Sequence, residues 1–249
     1  MRRYWVPATA IQGDHILLSD DIFHHICGVC RQSLKSRFEL IHNQKAYLVE
    51  IVEIHKKKAL AKILETRDMP PLPQPALHLA LSLPRFTTLE KVLEKSVELG
   101  VSKLHLFASD FSYMKPHSKD LEKKTQRWQK IILGATQQTG RGELMELTPI
   151  RPLSVLLEEY ALEPEAKGWV AYEGDGVRPL GQELSAWRGQ KSQSVWIFVG
   201  GEGGFSPEDM ALFKNFHILS IGLGDQVLRV ETACVTLLGI LKYHLGHFG

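Results

Sequence analysis

With 249 residues, 44% of them hydrophobic and 23% charged, the chain has a globular composition that excludes collagen-like and disordered classes and suits one large domain or two unequal ones. No apolar run reaches the roughly 18 residues that a membrane span needs. Residues 1–7 carry no signal-peptide core, and three cysteines (Cys27, Cys30, Cys234) make no disulfide framework, so a cytoplasmic protein with no membrane partner is expected. The net charge of +2 hides an asymmetry, because residues 1–72 hold 11 Lys/Arg against 8 Asp/Glu and the remainder 19 against 20. The mildly basic front is the end suited to a polyanion.

Taken in chain order, 16–18, 37–41, 46–54 and 60–64 read as short strands bounded by turns at Gly13-Asp14 and Asn43-Gln44. A helical patch at 21–31 interrupts them, and a small β-barrel is the natural closure for such strands. Cys27-Gly28-Val29-Cys30 with His24 and His25 invites a zinc reading, but a structural site wants a second ligand pair downstream and none follows. No metal is expected, and the cysteines read as core residues. Met69-Pro70-Pro71-Leu72-Pro73-Gln74-Pro75 can continue neither a helix nor a central strand. It marks a linker over 69–75 between a first domain at 1–68 and a second at 76–249.

Beyond the linker the rhythm becomes alternating strand and helix. Strands are expected at 76–82, 102–107, 168–172, 194–199 and 217–221, and helices at 88–99, 118–139, 152–161, 206–215 and 229–245. This is an α/β pattern with a parallel sheet covered on both faces. The last helix is apolar at i, i+3, i+4 and i+7 spacing, and Val235 and Ile240 extend the apolar surface around it, as burial or a subunit contact would require. Lys115, Lys119, Lys123, Lys124, Arg127 and Lys130 line one side of the third helix, either as a solvated face or, with His55-Lys56-Lys57-Lys58, as an RNA-binding strip.

Two glycine-rich turns near the carboxyl end carry the chemistry. Val199-Gly200-Gly201-Glu202-Gly203-Gly204-Phe205-Ser206 and Ile221-Gly222-Leu223-Gly224-Asp225-Gln226-Val227-Leu228-Arg229-Val230-Glu231-Thr232-Ala233 each leave a strand and open into a helix. In such a sheet ligands bind at the carboxyl ends of the strands. A P-loop is excluded, since no G-x-x-x-x-G-K-[ST] occurs. The dinucleotide fingerprint fails as well, because Ser206 and Val227 stand where its third glycine belongs. What remains is a set of main-chain donors and acceptors flanked by Leu223, Leu228 and Phe205, suited to a neutral adenosine, with Glu202 and Glu231 suited to a cation.

These two turns, with Leu228-Arg229-x-Glu231-Thr232-Ala233, resemble the 16S ribosomal RNA uridine-N3 methyltransferase family, of the SPOUT class of trefoil-knotted, S-adenosylmethionine-dependent RNA methyltransferases. His25-Ile26-x-x-Val29-x-Arg31 is similar to the signature of that family's N-terminal PUA-like barrel, Glu98-Leu99-Gly100-Val101 to its first α/β turn, and Ala135-x-x-Gln138-x-x-Arg141 to its central helix end. The chain departs from the pattern at Gly201, where proline is usual, at Gly134, where glutamate is usual, and near Phe111, where an arginine is missing.

The resemblance implies a cofactor site for S-adenosyl-L-methionine at Val199, Gly200, Glu202, Gly203, Gly204, Ile221, Leu223, Gly224 and Leu228. It implies catalysis by Arg229, with Glu231 or water as base, and substrate contacts from Arg31, Gln138 and Arg141, to which the basic strip on the third helix would add Lys119, Lys123 and Arg127. It further implies a homodimer acting on 16S rRNA or the small ribosomal subunit. Rival readings are a knotted RNA-binding or assembly factor without catalysis, a knotted methyltransferase with another RNA target, and a nucleotide hydrolase. The last lacks phosphate and magnesium ligands.

Overall fold

A computed structural model describes residues 3–113, 121–163, 165–188 and 190–248. The chain divides into two units, one made of the residues up to Pro71 together with Thr136–Leu144, the other of Leu72–Ala135 together with the chain from Met145 onward.

In the first unit β1 (Arg3–Trp5), β2 (Ile11–Gln12), β3 (His15–Ser19), β4 (Arg37–His42), β5 (Lys45–Ile54) and β6 (Lys58–Asp68) form one sheet in the order β1-β4-β5-β6-β3-β2. All neighbours run antiparallel except β1 and β4. Alternate residues of a strand share a face. Ile16 and Leu18, Phe38 and Leu40, Val49 and Ile51, and Ala59 and Ala61 therefore converge on one core with Tyr4 and Ile26. Strands that all feed a single core have to curl around it, as the small barrel expected from the sequence does. Asn43 (φ 43°) and Gln44 (φ 61°) make the two-residue turn from β4 to β5, both with the positive φ that such hairpins favour.

The helical patch expected over 21–31 is shorter and looser. α1 (Asp20–Phe23) passes into a π-type turn over His24–Val29, and Arg31 follows at φ 55°. Gly28, a poor helix former, and β-branched Val29 weaken the α-helix at that point. Cys27 and Cys30 pack partly buried against the barrel core. Glu39 is 9% exposed and is held by Arg3 Nε at 2.7 Å and Arg67 Nη2 at 2.6 Å. Burial alone would raise its pKa, but hydrogen bonds from Arg67 and Arg3 outweigh it and hold the carboxyl below its usual range.

The second unit contains β7 (Ala76–Ser82), α2 (Phe86–Glu98), β8 (Val101–Ala108), α3 (Leu121–Thr139), β9 (Glu146–Leu147), β10 (Arg151–Pro152), α4 (Leu153–Leu162), β11 (Lys167–Ala171), β12 (Arg178–Pro179), α5 (Leu180–Trp187), β13 (Ser194–Val199), α6 (Pro207–Asn215), β14 (Leu219–Gly222) and α7 (Val230–His244). Its sheet is parallel throughout, in the order β10-β8-β7-β13-β11-β14-β12, with β9 beside β8. All six residues of β13 are buried, as a strand covered on both faces requires. Val195, Ile197 and Val199 pack towards α2, α3 and α7, whereas Trp196 and Phe198 pack towards α4 and α6.

β14 lies between β11 and β12, two strands that are consecutive in the chain. Residues 172–177 therefore bridge the end of β14. The bridge is tight: a Cβ added at Gly222 would stand 2.9 Å from Val177 Cγ2. The expected helices are present with shifted ends. α5, β9, β10 and β12 were not anticipated, because two-residue strands show no periodicity and Gly181 masks an eight-residue helix. The expected helix start at 118, together with Lys115 and Lys119, lies outside the described residues.

Candidate active site

Four segments leave the carboxyl ends of β7, β11, β13 and β14 and enclose a cleft of about 780 Å³. It is lined by the first turn of α2, by Tyr172-Glu173-Gly174, by the turn from Val199 to Phe205, and by the chain from Leu223 into α7. The strand ends of a parallel sheet put unpaired main-chain groups and helix N-termini at one edge, which is why ligands bind there.

The first glycine turn is held by its own backbone and by a neighbouring loop. Gly204 adopts φ 69° and its N–H donates to Gly201 O at 3.0 Å. A Cβ added at Gly203 would meet Phe111 Cβ at 2.9 Å and Phe111 O at 3.0 Å, so the 109–113 loop can lie against this turn only because a glycine is there. That loop is pinned in turn. Ser82 Oγ lies 2.6 Å from Ser109 Oγ and 3.0 Å from Ser112 Oγ, and Ser206 Oγ donates to Asp110 Oδ2 at 2.6 Å. Ser206 and Asp209 also form the capping box that starts α6, which Pro207 at the first helical position reinforces. Burial raises the Asp209 pKa, backbone N–H groups oppose this, and the nearby Asp110 carboxylate adds to it.

Glu202 turns its carboxylate to the start of α2. It accepts from the Arg85 N–H at 3.2 and 3.1 Å and from Thr88 Oγ1 at 2.9 Å. The N-cap residue Arg85 supplies no side-chain cap, so a residue 117 positions away does so instead. On the opposite wall Glu231, in the first turn of α7, pairs with Lys91 Nζ at 3.1 Å. A hydrogen bond from its own backbone N–H and the Lys91 ammonium hold its pKa below the usual range, and the Arg229 charge acts in the same direction. Arg229 is the N-cap of α7 and is exposed, and its side chain makes no hydrogen bond or ion pair with the described residues.

All nine residues expected to hold a cofactor line this one cleft, with Arg229 and Glu231. The other expected contacts lie outside it. Arg31 is exposed in the first unit, as is Gln138, whereas Arg141 is turned inward with Nε and Nη2 shielded from solvent. Lys123 and Arg127 are exposed on α3, and Arg127 pairs with Glu90 at 2.6 Å. Sequence reasoning missed Arg85, Thr88, Lys91 and Glu173. The available signal was positional, since Arg85 and Glu173 follow the carboxyl ends of β7 and β11.

Arg85, Lys91 and Arg229 line the cleft together with Glu173, Glu202 and Glu231, and Leu223, Leu228 and Phe205 supply apolar wall. Balanced charge, main-chain donors and an aliphatic wall fit a nucleoside bearing a charged tail better than a polyphosphate.

Comparison with known proteins agrees with this geometry. A model of the RNA methyltransferase domain matches residues 70–242, and a model of the RNA methyltransferase PUA domain matches 18–64. The chain is 32% identical to ribosomal RNA small subunit methyltransferase E of Helicobacter pylori (strain ATCC 700392 / 26695) over 95% of each protein. It is 27% identical to the protein of that name from Bacillus subtilis (strain 168), over 98% of this chain and 96% of that one. A Legionella pneumophila structure in complex with the bound cofactor S-adenosylmethionine superposes with a TM-score of 0.84 at 26% identity, covering 97% of this chain and 96% of the other. The fold is shared with a Neisseria gonorrhoeae structure bound to S-adenosyl methionine, at a TM-score of 0.84, 23% identity and coverage of 98% and 97%.

Proposed function

Because the chain belongs to the RNA methyltransferase family whose domain model spans residues 70–242, we propose that it methylates N3 of a uridine in 16S ribosomal RNA, with S-adenosyl-L-methionine as donor. The observation that carries this reading is the gathering of both glycine turns into one cleft with an exposed arginine side chain at its edge. Val199, Gly200, Glu202, Gly203, Gly204, Ile221, Leu223, Gly224 and Leu228 form the donor pocket, with Leu223 and Leu228 against the adenine. When bound, the donor supplies an electrophilic methyl on a positively charged sulfur. The bridge of 172–177 over β14 supports a trefoil knot that holds these segments side by side.

Uridine N3 carries a proton and becomes a nucleophile as that proton leaves. A fixed guanidinium beside O2 or O4 stabilises the anion that forms, and Arg229 can offer two hydrogen bonds at once. The lowered pKa keeps the Glu231 carboxylate ionised beside Lys91. The N3 proton leaves to this carboxylate or to solvent. Alignment of the two reacting atoms within the cleft lowers the barrier further.

In this reading residues 1–68 form the RNA-docking barrel, using Arg31, 69–75 the linker, and 76–249 the methyltransferase domain. Lys119, Lys123, Arg127, Gln138 and Arg141 contact the RNA. Exposed Val235, Ile240 and Tyr243 on α7 support a homodimer, and a ribosomal substrate places the work in the cytoplasm. Titration calorimetry with S-adenosylmethionine, followed by methyl transfer to small subunits from cells lacking the gene, tests the assignment. Uptake of the donor and appearance of N3-methyluridine are expected. Donor binding without transfer would leave an RNA-binding factor.

A further inference from the structure

A uridine whose N3 is to be methylated cannot be base-paired, since N3–H lies on the edge that Watson–Crick pairing uses. Such a base has lost its stacking neighbours, and proteins that hold unpaired bases replace them with aromatic rings and guanidinium planes. Beside the glycine turn the chain presents those groups. Phe111 is 51% exposed and Tyr113 60% exposed, although both belong to a loop whose backbone is tightly fixed. Phe111 rests its Cβ and carbonyl against Gly203, and the Tyr113 N–H donates to Leu83 O at 3.0 Å. Arg85, in the cleft wall, places its guanidinium 5.1 Å from the centre of the Tyr113 ring. Its backbone is held by the Glu202 carboxylate.

We propose that Phe111, Tyr113 and Arg85 form a stacking platform that receives an unpaired base of the RNA substrate at the mouth of the donor cleft. This rests on the methyltransferase reading and adds to it the residues that position the RNA. A rigid loop bearing two exposed rings loses little conformational freedom when a flat apolar partner lands on it. The guanidinium beside the Tyr113 ring meets both the base plane and the adjoining phosphate. The contact reads base planarity rather than base identity, so it positions the RNA without selecting the nucleotide.

The test compares wild type with Phe111→Ala, Tyr113→Ala, their double variant and Tyr113→Phe. Each is assayed for KM and kcat on small ribosomal subunits lacking the methyl group, for S-adenosylmethionine affinity by calorimetry, and for oligomeric state by sedimentation. The double variant is expected to raise KM for the subunit by roughly tenfold or more, with donor affinity retained. Tyr113→Phe should keep wild-type KM, because the ring and not the hydroxyl does the stacking. Unchanged KM and kcat in the double variant would overturn the platform and leave the methyltransferase reading standing. So would a parallel loss of donor affinity in Phe111→Ala, which would make the loop a scaffold for the glycine turn. A shift to monomers in the alanine variants would assign the rings to a subunit contact and overturn it as well. Absence of methyl transfer by the wild-type protein would remove both readings together.

Discussion

Glu39 and Gly203 show how much one residue can carry in this chain. Glu39 lies between two guanidiniums and is almost closed to solvent, so replacing its charge leaves Arg3 and Arg67 without their acceptor. Glu39→Gln should lower stability by about 1–3 kcal/mol at neutral pH, measured by denaturant melts. Because the folded-state pKa is depressed, the wild-type advantage is full above the unfolded value near 4.3 and disappears as pH falls through the folded one. At Gly203 an added methyl would push against Phe111. Gly203→Ala is therefore expected to weaken S-adenosylmethionine binding by more than tenfold in calorimetry while the barrel unit melts unchanged. Arg229 is the converse case, its side chain exposed and bonded to none of the described residues. Arg229→Ala should keep donor affinity and stability and lose about 100-fold or more in kcat. An unaltered rate would rule out its role.

At the scale of elements, α2 depends on a residue far away in sequence. The Glu202 carboxylate substitutes for the missing N-cap, so Glu202→Ala should cost about 0.5–2 kcal/mol and loosen the glycine turn together with the helix. No local pattern around Arg85 announces this. The start of α6, in contrast, was legible, because Ser206-Pro207-Glu208-Asp209 is a capping box written in adjacent residues. Strands β7 and β8 hold a second long-range arrangement. His78 and His105 lie against Trp196, with His105 stacked at 4.1 Å, and burial draws both imidazoles below their usual pKa. Glu163 partly opposes this for His78, whereas the neighbouring His78 reinforces it for His105. Both must be neutral in the fold. Stability should fall as pH drops below about 6.5, where the unfolded chain takes up protons that the folded chain refuses. His105→Phe should flatten that slope in melts between pH 7 and 5.

Over the whole molecule, the longer strands and helices and the two glycine turns of the cleft were readable because both are local. Period-2 and period-3.6 patterns mark the elements, and glycines mark the turns that leave them. The contributions of Lys91 and Glu173 were not readable, since they reach the cleft through the strand order β7-β13-β11-β14, which no local pattern encodes. The absence of an arginine near Phe111 has a spatial answer of the same kind, for Arg85 brings a guanidinium to that loop from the end of β7. The apolar residues left exposed on α7 lead to a prediction about assembly. Ile240→Arg should convert the proposed dimer into a monomer in sedimentation without unfolding the unit.

The place of β14 has a consequence for how the protein comes into being. On a ribosome the barrel, β7 to β13 and the arch of 172–177 are all synthesised before residues 219–222. Until then the seat between β11 and β12 stays vacant, and the donor cleft lacks a whole wall. A chain released early therefore gives no weakened enzyme. It gives a sheet that lacks its penultimate strand and leaves β12 without the neighbour it pairs with.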